Sequence, residues 1–328
     1  MVKAKRFILA KQFDGFPKDS DIQLVEVELP EIKDGEFLCE AVYLSVDPYM
    51  RAFSFSLKEG DVMYGQQVAK VIQTKNADYP VGTYVITEVI GLGWRSHFVS
   101  SEGVVTKLDH PEEIPLSQAM GVLGMVGMTA YFGFVDICQP KEGETVVVNG
   151  AAGAVGSLVG QIAKIKGCRV VGFAGSDDKV KYLKSLGFDE AFNYKTIDLD
   201  ETLKKAAPNG VDIYFDNVGG KFSSIVRNHV NKYGRISQCG FISQYNLKEP
   251  DMLPCFDSVM VFKEIKCQGF LAESFSDRYP EGKKFMAEWY LKGKLKLDEH
   301  ITEGFENMKK AFFELFTGAN TGKALVKV

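Results

Sequence analysis

Residues 145–156 read TVVVNGAAGAVG, an apolar strand that runs into a turn of small residues. Ala151, Gly153 and Gly156 have the spacing of the dinucleotide fingerprint G-x-G-x-x-G, with alanine in the first place. These positions serve a tight turn, a close approach of backbone to pyrophosphate, and the packing of helix on strand. A helix beginning here would also offer unpaired N–H groups to phosphate. We predict a dinucleotide site at this turn; a purely structural glycine turn is the alternative.

Strands and helices alternate on the C-terminal side of this turn. The sequence predicts a helix to about residue 166, and then a strand over 169–173, a helix over 177–186 and strands over 211–216 and 234–238. Such alternation with short loops is typical of a parallel sheet covered by helices on both faces. The region therefore belongs to the α/β class.

The N-terminal third has a different pattern. Short strands are predicted over 24–29, 36–44, 67–73 and 83–89, separated by Pro, Gly and Asp. Short strands at such spacing are typical of a barrel or a sandwich. Near the C-terminus, residues 305–315 carry an apolar helical stripe, formed by Phe305, Met308, Phe312 and Leu315, and 324–326 predict a final strand.

Composition and charge limit the class of protein. A chain of 328 residues suggests about two domains. The 39 basic and 43 acidic residues leave a net charge of −4, and no basic run predicts a nucleic-acid partner. The six cysteines form no C-x-x-C pair, which predicts isolated buried thiols in a reducing cytosol.

Neither a secretory signal nor a membrane span is expected. The apolar run after the basic N-terminal residues is too short for a signal peptide. Residues 114–135 carry no charge, but their four glycines make them a poor match to a continuous apolar span. We predict a buried helix there, and a soluble, cytoplasmic protein.

The end of the next strand indicates whether the cofactor carries a 2′-phosphate. An NAD enzyme usually offers an acidic residue to the ribose about 20 residues beyond the glycines. Here the strand ends in residues 172–176, GFAGS, with no acid at its tip, and Lys179 follows one helical turn later. Lys179 is placed to contact a 2′-phosphate, so NADPH is predicted. A solvated surface lysine is the alternative, and Asp177 and Asp178 keep NADH open.

Several other patterns are set aside. Gly91-Leu92-Gly93 lacks a third glycine and is predicted to be a turn. The Tyr-x-x-x-Lys pairs 279/283 and 290/294 match short-chain dehydrogenase spacing, but the phosphate loop lies mid-chain rather than near the start. The four histidines, at positions 97, 110, 229 and 300, are widely separated and are predicted to be structural or exposed.

Longer motifs resemble one family across essentially the whole chain. Residues 46–51 read VDPYMR, 65–71 read GQQVAKV, 215–220 read FDNVGG, 240–246 read GFISQYN and 304–308 read GFENM. They resemble the zinc-independent branch of the medium-chain dehydrogenase/reductase family, which includes prostaglandin reductases and plant alkenal double-bond reductases.

The resemblance implies a fold and a domain division. The fold is α/β, with a Rossmann doubly wound parallel sheet and a GroES-like β-barrel domain. The Rossmann domain, which binds NADPH, covers residues 123–294. The barrel domain, which binds substrate, covers residues 1–122 together with 295–328.

The resemblance also implies a chemistry. Zinc-dependent relatives carry Gly-His-Glu where this chain has Gly65-Gln66-Gln67, so no metal is expected. The implied activity is NADPH-dependent reduction of the C=C bond of 2-alkenals, enones and 15-oxoprostaglandins, with oxidation of the leukotriene B4 12-hydroxyl by NADP+ as a further reaction. A quinone oxidoreductase and a non-catalytic dinucleotide-binding regulator are the alternatives.

Site residues and partners follow from the same resemblance. Tyr245 and Tyr49 match tyrosines near the nicotinamide and the substrate carbonyl. NADPH contacts are implied for Ala152, Gly153, Ala154, Val155, Gly156, Lys179, Tyr194, Asn217, Cys239, Gly240, Phe241, Ile242, Ser243, Gln244, Tyr245, Phe270, Leu271, Ala272 and Asn320. A homodimer and a small-molecule enal or enone substrate are expected. Phe262 replaces a family tyrosine beside the expected substrate pocket, and the nearby proline-rich stretch is reduced to Pro250 and Pro254, so eicosanoid preference stays open.

Overall fold

The structure, a computed structural model, describes residues 2–109 and 111–328. The strands are Val2–Leu9 (β1), Ile22–Leu29 (β2), Glu36–Ser45 (β3), Gln67–Thr74 (β4), Tyr84–Thr87 (β5), His97–Ser101 (β6), Val105–Lys107 (β7), Thr145–Val148 (β8), Arg169–Ala174 (β9), Glu190–Asn193 (β10), Val211–Asp216 (β11), Val230–Gln238 (β12), Lys266–Gly269 (β13), Glu299–Glu303 (β14) and Lys323–Lys327 (β15). The α-helices are Tyr49–Ala52 (α1), Met125–Tyr131 (α2), Ala154–Ile165 (α3), Asp177–Ser185 (α4), Leu199–Ala206 (α5), Gly220–Asn228 (α6), Asp257–Lys263 (α7), Tyr279–Leu291 (α8) and Met308–Thr317 (α9).

The chain divides into two compact units. One comprises the residues up to Met120 together with Glu299–Val328, and the other is Gly121–Asp298. The N-terminal and C-terminal segments therefore share one unit, because β15 pairs antiparallel with β3.

The unit Gly121–Asp298 is built on a six-stranded parallel sheet in the order β10-β9-β8-β11-β12-β13. Its centre is the valine run of β8, where Val146, Val147 and Val148 are fully buried. A continuous apolar run is typical of a strand with both faces covered. The strand order is that of the Rossmann fold. Successive strands are added towards one edge of the sheet up to β10 and towards the other edge from β11 onward, so the order reverses between β8 and β11. The predicted doubly wound sheet is confirmed.

The other unit is antiparallel in the main. Its largest sheet runs β14-β15-β3-β4-β5-β7, with β6 also pairing with β3, and β1 and β2 form a separate pair. Trp94 lies at the centre of its core, with Phe7 and Phe312 packed edge-on against the indole. The predicted β-rich domain of the GroES-like type is confirmed, and the C-terminal stripe contributes Met308 and Phe312 to the core.

The uncharged stretch 114–135 is not the single helix that its sequence predicts. It forms a 3-10 turn at Leu116–Ala119, and α2 begins only at Met125. Between them the chain folds back on α2, and a Cβ at Gly127 would lie 1.8 Å from the Val122 carbonyl oxygen. Glycine is thus required for the close approach. No helix in the described ranges has the length and apolarity of a membrane span.

A buried ion pair joins the C-terminal strand of the barrel unit, β15, to the segment that follows β3. Lys323, at the start of β15, is fully buried, and its Nζ donates to Asp47 Oδ1 at 2.8 Å and to Ser45 Oγ at 2.7 Å. Asp47 also accepts a hydrogen bond from the Ser45 hydroxyl. The ammonium therefore holds the segment directly before α1, which begins with Tyr49.

The cysteines are all free thiols, but the prediction that they are buried holds for only three of them, because Cys239 is partly exposed and two others are exposed. Cys39, Cys138 and Cys168 are buried, and burial raises the pKa of Cys39 and of Cys138 to about 12. Cys255 and Cys267 are exposed. Cys267 is on β13, an edge strand of its sheet, and Cys255 is in the loop before α7.

Candidate functional site

The predicted fingerprint turn lies between β8 and α3. Gly150 has a φ of +54°, and α3 begins at Ala154 after Gly153. A Cβ at Gly156 would lie 2.5 Å from the Gly150 carbonyl oxygen, so only glycine lets the helix pack on the turn. The first N–H groups of a helix have no partner within it. The turn thus fits a pyrophosphate. Its glycines have no side chains to block the approach of the phosphates, and the N-terminus of α3 offers backbone N–H groups as hydrogen-bond donors.

Asn149, the residue before the turn, joins the ends of β8 and β11. Its Nδ2 donates to Asp216 Oδ1 at 2.8 Å, and its Oδ1 accepts the Asn217 N–H at 2.7 Å. Asn217 Nδ2 in turn donates to the Asn149 carbonyl at 2.9 Å. The network fixes Asn217 at the point where the strand order reverses, which is where ligands bind in open α/β sheets.

The loop 239–245 after β12 is held against the loop after β11. The backbone N–H groups of Cys239 and Gly240 donate to the Asp216 carbonyl at 2.9 and 3.0 Å. The Ser243 hydroxyl donates to the Val218 carbonyl at 2.7 Å. A Cβ at Gly219 would lie 2.9 Å from the Phe241 Cβ, so glycine is needed for the two loops to come this close.

Tyr245 closes this loop and is half-buried. Its ring stands edge-on to Phe241, with centroids 4.8 Å apart. Burial raises the pKa of the Tyr245 phenol above its usual value, although a hydrogen bond with the Phe241 backbone opposes part of this effect. The phenol is therefore protonated at neutral pH and can donate a hydrogen bond, but it is a poor base.

The residues after β13 complete this edge of the sheet. Phe270 lies edge-on to Phe215, with centroids 6.4 Å apart, and Ala272 is buried, whereas Leu271 is 55% exposed. The predicted contact residues of this unit therefore follow the carboxyl ends of β8, β9, β10, β11, β12 and β13, which meet at one edge because the strands are parallel.

Lys179 lies in the first turn of α4, just after β9. Its backbone N–H donates to the Ser176 hydroxyl, which caps the helix, at 3.4 Å. Burial lowers the pKa of the Lys179 ammonium, and the charge of Lys195 lowers it further. Tyr194 follows β10, and its ring lies edge-on to Phe222 at 6.1 Å. The sequence analysis missed Lys195, although it stands two residues beyond a strand that pairs with β9.

Two predicted site residues belong to the barrel unit. Tyr49 is the first residue of α1, and its hydroxyl donates to the Val89 carbonyl at 3.1 Å. Asn320 lies in the turn before β15, where its amide donates to the Gly322 carbonyl at 3.3 Å. In this arrangement the Tyr49 proton is engaged by backbone, so its role as a donor to substrate stays a prediction.

Gln66 and Gln67 stand where zinc-dependent relatives carry His and Glu, and their side chains form hydrogen bonds within the barrel unit. Gln66 Nε2 donates to the Thr87 carbonyl at 3.0 Å, and Gln67 Nε2 donates to the Gly93 carbonyl at 2.9 Å. Both amides thus tie β4 to neighbouring loops and strands. Residues 2–109 and 111–328 contain no group of three or more His, Cys, Asp or Glu side chains that could hold a metal ion.

The histidines that the structure describes contact neighbouring protein side chains. His229 pairs with Asp200 at 2.7 Å, His97 contacts the Ser96 hydroxyl at 3.1 Å, and His300 lies 3.5 Å from a Glu314 oxygen. His110 lies outside the described residues. Phe262 is on α7 with 82% of its surface exposed.

A Rossmann unit with a fingerprint turn, joined to a GroES-like unit, defines a nicotinamide-dependent oxidoreductase of the medium-chain type. Comparison with known families agrees with this class. Residues 5–108 match the family described as the N-terminal domain of oxidoreductase, and residues 154–288 match the family described as zinc-binding dehydrogenase.

Individual relatives narrow the class. Prostaglandin reductase 1 of Sus scrofa is 52% identical over the full length of both chains. The NADP(+)-dependent 2-alkenal reductase of Nicotiana tabacum is 40% identical over 100% of this chain and 98% of its own. The crystal structure of CurA from Vibrio vulnificus in complex with NADPH superposes with a TM-score of 0.91 at 40% identity, covering 99% of each chain. The chain belongs to the prostaglandin reductase branch of the medium-chain dehydrogenase/reductase family.

Proposed function

We propose that this protein uses NADPH to reduce the C=C bond of α,β-unsaturated aldehydes and ketones. The observation that carries the proposal is the half-buried Tyr245 hydroxyl in the loop 239–245, at the edge of the sheet where the fingerprint turn lies. The names of the relatives, a prostaglandin reductase and a 2-alkenal reductase, support the same class of substrate.

The residues of the Rossmann unit fit the two ends of NADPH. The turn at 150–156 and the N-terminus of α3 would hold the pyrophosphate. Lys179 would meet the 2′-phosphate, and the loop 239–245 with Phe270–Ala272 would hold the nicotinamide end. NADPH supplies a hydride when it is bound. The chain's own task is then to orient the substrate and to stabilise the charge that develops on it.

The position of that charge favours reduction of the C=C bond. Hydride addition at the β-carbon spreads the negative charge over an enolate, whose oxygen one or two neutral donors can hold. Hydride addition at the carbonyl carbon would leave a localised alkoxide, which needs a stronger electrophile. We propose that Tyr245 donates to the enolate oxygen, with Tyr49 as a second candidate donor and the ribose hydroxyl of the cofactor as a third. The enolate then takes a proton from solvent water at its α-carbon, which leaves the saturated aldehyde or ketone.

Replacing Tyr245 by phenylalanine tests this role. Loss of a lone oxyanion donor costs ~10²–10³ in rate, and because donors share the charge here we expect kcat to fall about 10-fold or more. The ring contact with Phe241 is kept in this variant. Tyr233→Phe, which removes an exposed hydroxyl from the same unit, is the matched control and should leave kcat unchanged. Equal kcat values for Tyr245→Phe and the wild type would remove Tyr245 from the mechanism.

We also propose that the reaction needs no metal. Amide side chains are poor zinc ligands, and both Gln66 and Gln67 donate to backbone carbonyls. Dialysis against a strong chelator should leave the rate of enal reduction unchanged. A loss of activity that added zinc restores would contradict the assignment to the zinc-independent branch.

The finer substrate assignment is proposed on the family relationship. It includes 15-oxoprostaglandins and, in the oxidative direction, the 12-hydroxyl of leukotriene B4. Phe262 lacks the hydroxyl of the family tyrosine, so a hydrogen bond from that position to a polar eicosanoid would be lost. We therefore place short 2-alkenals and simple enones first among the substrates.

Domain roles, assembly and location complete the proposal. Residues 123–294 would form the NADPH-binding domain, and 1–122 with 295–328 the substrate domain. We propose a homodimer, because β13 is an edge strand and the neighbouring α7 exposes Val261 and Phe262 by 70% and 82%. A cytoplasmic location would fit the free thiols.

A further inference from the structure

A second lysine lies beside the position where the 2′-phosphate is expected. Strand β10 pairs in parallel with β9, with Asn193 opposite Ala174, so the residues that follow the two strands are neighbours. A Cβ at Gly175 would lie 3.5 Å from the Lys195 Cε and 3.4 Å from the Tyr194 hydroxyl oxygen. The side chains of Tyr194 and Lys195 therefore lie beside Gly175, directly after the end of β9.

The charge of Lys195 acts in the same region as that of Lys179. The two ammonium groups are near enough for Lys195 to lower the pKa of Lys179, in addition to the effect of burial. A like charge nearby disfavours the charged form of a lysine, and an anion bound beside both ammonium groups would offset this repulsion. A phosphate dianion is well matched to two such cations.

The acidic residues nearby are engaged by other partners. The Asp177 carboxylate accepts a hydrogen bond from the Asn193 amide at 2.8 Å. The Asp178 carboxylate pairs with Lys181 at 2.9 Å, on the exposed side of α4. In the sequence, these two acids kept NADH possible as the cofactor, because an acid can bind the ribose hydroxyl. In the structure, both carboxylates have a partner within the protein.

We propose that Lys195 is a specificity residue, which acts with Lys179 to bind the 2′-phosphate of NADPH. The proposal rests on the proposed function only in taking NADPH as the cofactor. Lys179 projects from the helix after β9 and Lys195 from the loop after β10, so the two cations approach the phosphate from different elements. Lys195 is exposed, so its replacement leaves the core intact.

Calorimetric titration with two nucleotide fragments tests this without any catalytic readout. Adenosine 2′,5′-bisphosphate carries the 2′-phosphate, and AMP lacks it. For Lys195→Gln we expect the Kd of the bisphosphate to rise about 5–10-fold, while the Kd of AMP changes less than about twofold. Lys195→Arg should restore most of the affinity. Lys181→Gln, on the same edge of the unit but paired with Asp178, is the matched control and should change neither Kd.

Three outcomes would overturn the proposal. They are an unchanged bisphosphate Kd in Lys195→Gln, an equal loss for both fragments, and a wild-type protein that does not prefer the bisphosphate to AMP. Failure of the proposed reaction looks different. A wild-type protein that prefers the bisphosphate through Lys195 but leaves 2-alkenals unreduced would keep this inference and refute the activity.

Discussion

Replacing Lys179 by glutamate is expected to raise the KM for NADPH about 100-fold and to leave the KM for NADH within about threefold of the wild type. A charge-assisted contact to phosphate is worth ~1.5–3 kcal/mol, and the new carboxylate adds repulsion of the 2′-phosphate. NADH carries a neutral hydroxyl at that position, so it loses no contact with a phosphate and meets no charge repulsion. Steady-state rates at 340 nm with a 2-alkenal, measured with both cofactors, give the two values.

Lys181→Glu is the control for the change of charge. Lys181 is on the same helix, and its side chain is 79% exposed and paired with Asp178. A general electrostatic effect on a phosphorylated cofactor would appear in both variants, whereas a direct contact appears only in Lys179→Glu. An unchanged preference between NADPH and NADH in Lys179→Glu would remove this residue from the cofactor site.

A large loss of stability is expected from Asp47→Ala. The change leaves the fully buried ammonium of Lys323 without its carboxylate, and breaking such a pair typically costs ~3–5 kcal/mol. Denaturant unfolding should be followed by tryptophan fluorescence in a Trp289→Phe background. The signal then comes only from Trp94, which is buried in the same unit.

The double variant Asp47→Leu with Lys323→Met separates a lost charge pair from lost packing. Replacing both members of a buried pair by apolar side chains is often neutral or stabilising. We therefore expect the double variant to recover most of the stability that Asp47→Ala loses. If Asp47→Ala were as stable as the wild type, the claim that Asp47 compensates the buried charge of Lys323 would be wrong.

Much of the fold could be predicted because the local signals agreed with one another. The valine run of β8, the small residues of the turn and the periodicity of α3 all indicated one strand–turn–helix unit, which the structure contains. The strands that were predicted over 24–29, 36–44 and 67–73 form β2, β3 and β4. The alternation of apolar and polar residues and the positions of turn residues are local properties of the sequence, so they could be detected from a single sequence.

Features that depend on distant contacts could not be predicted. Residues 114–135 carry no charge along their whole length, but the fold-back that interrupts them depends on the contact between Gly127 and the Val122 carbonyl. The pairing of Lys323 with Asp47 joins positions 276 residues apart, and each alone resembles a surface charge. Lys195 was missed because the short strand before it, β10, carries a weak pattern and is identified by its pairing with β9.

The product formed from a simple 2-alkenal and NADPH tests the central claim most directly. A hydrogen-bonding Tyr245 and a charge delocalised over an enolate predict the saturated aldehyde as the main product, with its carbonyl intact. Chromatography coupled to mass spectrometry distinguishes this aldehyde from the allylic alcohol, and deuteride delivered from labelled NADPH should appear on the β-carbon. Allylic alcohol as the main product, with the label on the carbonyl carbon, would contradict both the enolate mechanism and the proposed reductase activity.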